Sequence, residues 1–323
     1  MFYSIIIPLY NRPQEIKELL ETLTRQTYKQ FEVLVIEDGS KDDAEDIVKS
    51  FEGQMDVHYY VKPNSGQGFT RNYAFERANG DYFVILDSDC LIPADYLQIV
   101  NDHLTKNWLD VYGGPDDAHP SFTPTQKAIS YAMTSPFTTG GMRGGKNAVS
   151  KFHPRSFNMG LSREVWEKAG GFIITRMAED LEFSIRVQRM GFKTGLIPDA
   201  KVYHKRRTNF RQFFKQLHFF GRGRINLYTF YSSELKPMHF FPALFVLFLI
   251  FTLIVNVLGC PLWLPCDILL GIFILLIFFH AWLKTKSLKI AFLSLGAAFT
   301  QLTAYGIGFM QEFWKRIILK SHK

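Results

Sequence analysis

The sequence predicts an α/β domain with a mainly parallel sheet, followed by C-terminal transmembrane helices. Short apolar runs alternate with amphipathic stripes through the first two-thirds of the chain. Each run ends in a polar loop, and the composition shifts after Phe240 to long apolar stretches.

Tyr3 to Pro8 is an Ile-rich run, and Asn11, Arg12 and Pro13 open a helix whose Ile16, Leu19, Leu20 and Leu23 recur at helical spacing. Phe31 to Ile36 reads as the second strand. Ser40 is the expected N-cap of the helix after it, which carries Ala44, Ile47, Val48 and Phe51 on one face. Val57 to Val61 leads through a Gly-containing turn into a helical segment, Phe69 to Ala78, and Tyr82 to Leu86 is the fourth strand. Alternating strands and helices imply a sheet covered on both faces. No G-x-G-x-x-G follows the first strand, which argues against a dinucleotide-binding domain. Val111 to Phe157 has weak periodicity and a Gly/Thr cluster at Thr138 to Gly145, so a long loop with lid or acceptor-side elements is expected there.

The chain has 323 residues, 47% of them hydrophobic, 31 Phe and a formal charge of +7. Apolar runs at about 240–258, 268–283 and 290–310 are candidate membrane spans, the third, with Thr300, Gln301 and Thr303, being read either as a span or as an interfacial or re-entrant run. Residues 206–238 mix aromatics with Arg and Lys and read as an amphipathic interfacial segment, and 312–323 is a basic tail. Lys and Arg gather beside the apolar runs, so the basicity is assigned to the membrane side and to holding phosphates. Nucleic-acid binding is set aside because no compact basic stripe with interleaved aromatics occurs. Three Cys give no disulfide framework. Cys260 and Cys266 flank an expected external loop and would pair if it faced an oxidising space. No signal-peptide pattern precedes Tyr3, so residues 1–205 are expected on the cytoplasmic face of the cell (inner) membrane.

Ligands of such sheets bind beyond the carboxyl ends of the strands. The polar loops there hold Pro8, Tyr10 and Asn11, then Glu37 and Asp38, then Gly66, Gly68 and Arg71, then Asp87 and Asp89. Asp87 and Asp89 sit two apart on what reads as an extended segment, projecting to one side. Paired hard oxygens suit Mg²⁺ or Mn²⁺, completed by substrate phosphates. His204 is a further candidate ligand, and Arg206 with Arg207 a candidate diphosphate clamp. A carboxylate of the Glu37-Asp38 pair is placed to accept hydrogen bonds from a nucleotide base or ribose, and Arg71 to engage phosphate or nucleotide. Glu179 and Asp180 open a helix and offer a carboxylate base for an acceptor hydroxyl.

Together these residues resemble glycosyltransferase family 2, enzymes of the GT-A fold. The matching text is SIIIPLYNR, VLVIEDGS, NSGQGFTRNYAFERANGDYFVILDSDC, FNMGLSREVWEKAGGF and AEDLEFSIRVQRMGF, covering roughly Phe2 to Tyr203. The resemblance implies that Pro8 and Asp38 line the nucleotide pocket with Arg71 close by, and that Asp89 with Asp87 serves metal and diphosphate. It implies that the acid pair holds the catalytic base, assigned to Asp180 with Glu179 as the alternative, and that Asn158 lies at the acceptor or donor-sugar side. The expected activity is inverting transfer from a nucleotide diphosphate sugar to a hydroxyl, on a lipid-linked or saccharide acceptor. A processive synthase is disfavoured, since Q-x-x-R-W is absent and Gln216 with Gly221-Arg222-Gly223-Arg224 is a loose counterpart at best. A silent nucleotide-sugar-binding scaffold is the reading from another class, and the presence of metal and base candidates speaks against it.

Overall fold

The computed structural model describes residues 1–117, 119, 121–139, 152–205 and 207–320. Two compact units divide the chain: Met1–His119 with Lys151–Lys205, and Pro120–Ser150 with Arg206–Lys323.

The first unit is built on strands β1 (Tyr3–Leu9), β2 (Phe31–Asp38), β3 (Val57–Lys62), β4 (Tyr82–Leu86), β5 (Cys90–Leu91), β6 (Val111–Gly113), β7 (Asp116–Asp117), β8 (Asn158–Ser162), β9 (Thr194–Leu196) and β10 (Val202–His204). The main sheet runs β3-β2-β1-β4-β8-β6-β9, and a small sheet runs β5-β10-β7. β1 to β4 pair in parallel, Ile5 lying beside Val33 on one side and Val84 on the other. β8 enters antiparallel between β4 and β6. Because helices cover both faces, alternate residues of one strand serve two cores. Ile5, Ile7, Val33 and Val84 pack with Ile16, Leu19 and Leu23. Ile6, Leu34, Phe83 and Ile85 pack with Phe75, Phe172 and Phe183. That double burial explains why these strands read as continuous apolar runs.

Two local expectations shift. The helix after β2 is short, Glu45–Lys49, with Ala44 at its start and no side-chain cap. Ser40 is held in the loop instead, its Oγ donating to Glu37 and accepting from the Asn11 amide at 2.7 Å. The helix after β3 starts two residues early, Gln67–Phe75, because Gly66 at φ 87° breaks the preceding extended chain.

The second unit is helical. Pro124–Thr134 falls inside the expected loop, where a Thr123/Gln126 capping box starts it. It packs on Leu288–Phe313 through Ala128, Ile129 and Ala132. The loop expectation therefore fails for this stretch. Its apolar residues, Ala128, Ile129, Tyr131, Ala132 and Met133, include two small alanines and cluster in six positions, too short a run to register as a helical stripe. Most of the Thr138 to Gly145 cluster, from residue 140 on, lies outside the described residues. Pro237–Val257, Trp263–Thr285 and Leu288–Ile318 are long and apolar enough to cross a membrane. Phe210–Phe230, expected as an interfacial segment, is a helix packed closely on Leu288–Phe313. Gly221 and Gly308 permit this, since a Cβ on either would lie 2.1 Å from a backbone carbonyl oxygen of the facing helix. Cys260 and Cys266 are free thiols.

Candidate active site

β2 delivers Asp38 to the sheet rim, where burial alone would raise its carboxyl pKa. Lys62 Nζ at 2.6 Å and the Ser65 and Gly66 amides at 2.9 Å each outweigh burial and hold it below the usual range. Gly66 is required there: it has positive φ, and a Cβ would meet Thr175 Oγ1 at 2.4 Å. Asn11, also at positive φ (51°), ties the β1 loop to the β2 loop by accepting the Lys41 amide at 2.8 Å.

The helix that begins beyond Gly66 carries Arg71, whose side chain is fully buried. Its Nη2 donates to Asp87 Oδ1 at 3.1 Å and its Nη1 to Glu179 Oε1 at 3.3 Å, with the guanidinium 5.3 Å from the Phe172 ring centroid. Gln67 Nε2 also donates to Glu179. Burial first, and the neighbouring Asp180 second, push the Glu179 carboxyl up to about 7. Asp180 Oδ2 accepts Arg155 Nε at 2.8 Å. Met177 (φ 63°) and Ala178 (φ 70°) precede this acid pair in the left-handed region. Two successive non-glycine residues there are costly and persist only where surrounding contacts fix them.

Asp89 has different partners. Arg12 Nη1 donates to Oδ2, and His204 Nε2 lies 3.0 Å from Oδ1. The antiparallel pairing of His204 with Cys90 brings the imidazole to this carboxylate, and Phe157 stacks on it with centroids 5.2 Å apart. Asp89, Cys90 and His204 each place one ligand atom within 4.8 Å of the others. Burial pushes the Cys90 thiol up, so the hard carboxylate and the imidazole are the cluster's better donors for a divalent cation such as Mn²⁺.

Residues 4–170, about half of the chain, match the family described as Glycosyl transferase family 2. This chain belongs to glycosyltransferase family 2. Among its relatives, glycosyltransferase AglE of Haloferax volcanii is 26% identical over 252 residues, 76% of this chain and 80% of AglE. An uncharacterized glycosyltransferase of Rickettsia felis is 36% identical over 104 residues, 32% of this chain. The chain spans 17% of that Rickettsia protein's length. The solved mannosyltransferase PcManGT of Pyrobaculum calidifontis, in complex with GDP-Man and Mn²⁺, superposes with a TM-score of 0.59. It is 19% identical and covers 97% of this chain and 87% of its own. S. aureus TarS 1-349 with UDP-GlcNAc superposes at 0.50, with 18% identity, 96% of this chain and 91% of its own. The fold is GT-A, with three apolar helices appended.

Within this family-2 unit the structure joins Asp38 to Gly66, Asp87 to Arg71 and Glu179, and Asp89 to His204. Pro8 is at the end of β1, and Tyr10 is half exposed beside it. One expectation is corrected, and two candidate residues are buried. Asp87 and Asp89 do not project together: residues 87–89 form a turn, closed by the Cys90 amide on the Asp87 carbonyl at 3.0 Å, and the carboxylates turn to different cations. Arg71 is fully buried and is spent on the buried Glu179 and the half-buried Asp87. Asn158 is fully buried, accepting Tyr96 Oη at 2.6 Å and donating to the Ala200 carbonyl at 2.8 Å, which ties β8 to the helix that starts at Tyr96 and to the loop before β10. Arg207 belongs to the second unit, and Arg206 lies outside the described residues. Sequence reasoning passed over Arg12, Lys62, Gln67 and Arg155. Arg12 and Lys62 sit at strand ends where ligands bind and were open to that inference; Arg155 carries no such signal.

Proposed function

We propose that the protein is an inverting glycosyltransferase that moves a sugar from a nucleoside diphosphate carrier to an acceptor hydroxyl. The observation that carries this is one connected network. The turn that binds Asp38 starts the helix bearing Arg71, and Arg71 joins Asp87 to Glu179, whose neighbour is Asp180. We read Asp38, Asp87 and the Glu179-Asp180 pair as the nucleotide-side, diphosphate-side and base-side carboxylates of this one network.

Asp89 and His204 would hold a divalent cation, which when bound neutralises charge developing on the departing diphosphate. Asp38 orders the 62–66 turn whose backbone lines the nucleotide pocket. Asp180, held by Arg155, takes the proton from the acceptor hydroxyl as its oxygen attacks the anomeric carbon from the side opposite the leaving group. Glu179 and Arg71 fix the helix start that aims Asp180. The ligands of the solved family-fold relatives, GDP-Man with Mn²⁺ and UDP-GlcNAc, support this donor class. The three apolar helices favour a lipid-linked acceptor and a site on the cytoplasmic face, where nucleotide sugars are made.

The test is Asp180→Asn in the full chain, with product followed by NMR. Wild type is expected to give the anomer opposite to the donor, and the variant to lose about 10²–10⁴-fold in rate while melting within a few degrees of wild type. A retained anomer, or near wild-type turnover by the variant, removes this reading.

A further inference from the structure

At the amino ends of the strands, the rim opposite Asp38, Glu32 from β2, His58 from β3 and Asp56 just before it form a second cluster. Asp56 and His58 are two apart on extended chain, so they share a face, and the β2–β3 register sets Leu34 beside His58 and Val33 beside Val57. Glu32 is 1% exposed. Its oxygens accept Ser4 Oγ at 2.6 Å, the Asn79 amide at 2.6 Å and Asn79 Nδ2 at 3.0 Å, all neutral donors. Among the described residues the ionisable group opposite it is His58, with Nε2 3.8 Å from Glu32 and 3.0 Å from Asp56.

We infer that Glu32, Asp56 and His58 form a second divalent-cation site of the zinc type, remote from the transfer site. One ligand atom from each lies within 4.8 Å of the other two. A common centre is then no more than about 2.8 Å from all three, against metal–ligand lengths of about 2.0–2.2 Å. Asp56 and His58 are half exposed and close that gap by side-chain rotation, while Glu32 is fixed from behind by Ser4 and Asn79. One imidazole and two carboxylates with water at the fourth position suit Zn²⁺ or Co²⁺ better than Mg²⁺, which takes all-oxygen sets. The buried Glu32 charge gains a cation, and the starts of β1 to β4 are tied together through Ser4 and Asn79.

The experiment uses detergent-solubilised full chain carrying Asp89→Asn and His204→Ala, so that the other candidate site is silent. Titration with Co²⁺ followed by visible absorption, and with Zn²⁺ by calorimetry, is expected to show one equivalent bound. His58→Ala should weaken binding at least tenfold, and Asp56→Asn, at an exposed position, several-fold. Zn²⁺ should raise the melting temperature of the parent but not of His58→Ala. Absence of binding at millimolar Zn²⁺, or unchanged affinity in both His58→Ala and Asp56→Asn, overturns the site.

Discussion

Replacing Glu179 by Gln isolates the charge that the acid pair forces into the protein interior. The folded carboxyl stands at about 7 against an ordinary 4.5, so between those values the folded protein holds a proton that the unfolded chain has released. Stability therefore falls as pH rises through that window, and the loss is complete above about 7. The gap corresponds to roughly 3 kcal/mol at 1.36 kcal/mol per pH unit, and Glu179 is 3% exposed, so solvent screens little of it. Gln keeps the shape and still accepts from Arg71 while carrying no charge. The variant should match wild type within about 1 kcal/mol near pH 5 and exceed it by up to about 3 kcal/mol at pH 8, a widening of several degrees in melting temperature. Differential scanning fluorimetry of both proteins across pH 5–8 reads this directly. A melting difference that stays constant over that range, or narrows with rising pH, refutes the claim that burial and Asp180 load this carboxyl.

Arg12→Gln removes a positive charge from Asp89 and should tighten Mn²⁺ binding by roughly tenfold, measured by calorimetry without donor; unchanged or weaker binding would detach Arg12 from the cation site. Asp38→Asn should lower the melting temperature at pH 7, and the difference should shrink as pH falls through the depressed folded pKa of Asp38, because that carboxylate stabilises the fold only while ionised. Gly221→Ala places a Cβ 2.1 Å from the Tyr305 carbonyl oxygen and should cost about 1–3 kcal/mol. Gly271→Ala, with nothing within 4 Å, serves as its control and should be neutral or stabilising in the same thermal denaturation series.

The four parallel strands were legible because both their faces are buried, which leaves an unbroken apolar run at each. β8 was not. The segment Asn158 to Ser162 is short and glycine-containing, and its strand state depends on antiparallel neighbours far upstream, such as Tyr82 opposite Ser162. Asn158 shows the consequence: read as a site residue from its motif, it is consumed by Tyr96 and Ala200. The acids at strand ends were readable from position alone, since ligand rims of α/β sheets lie there. Their counter-ions were not. Arg155 reaches Asp180 across 25 residues and Arg12 reaches Asp89 across 77, and no local pattern records which cation each carboxylate will choose. The turn at residues 87–89 made the same difference, sending Asp87 inward to Arg71 and leaving Asp89 with His204.

The most direct measurement of the central claim is sugar transfer from a panel of labelled nucleoside diphosphate sugars by membranes containing the full chain, with and without Mn²⁺. Wild type should transfer from one donor and lose activity with EDTA, and Asp89→Asn and Asp180→Asn should each fall to background while remaining folded. Cation-independent transfer, or transfer surviving in both variants, would contradict a shared rim of carboxylates as the seat of the chemistry.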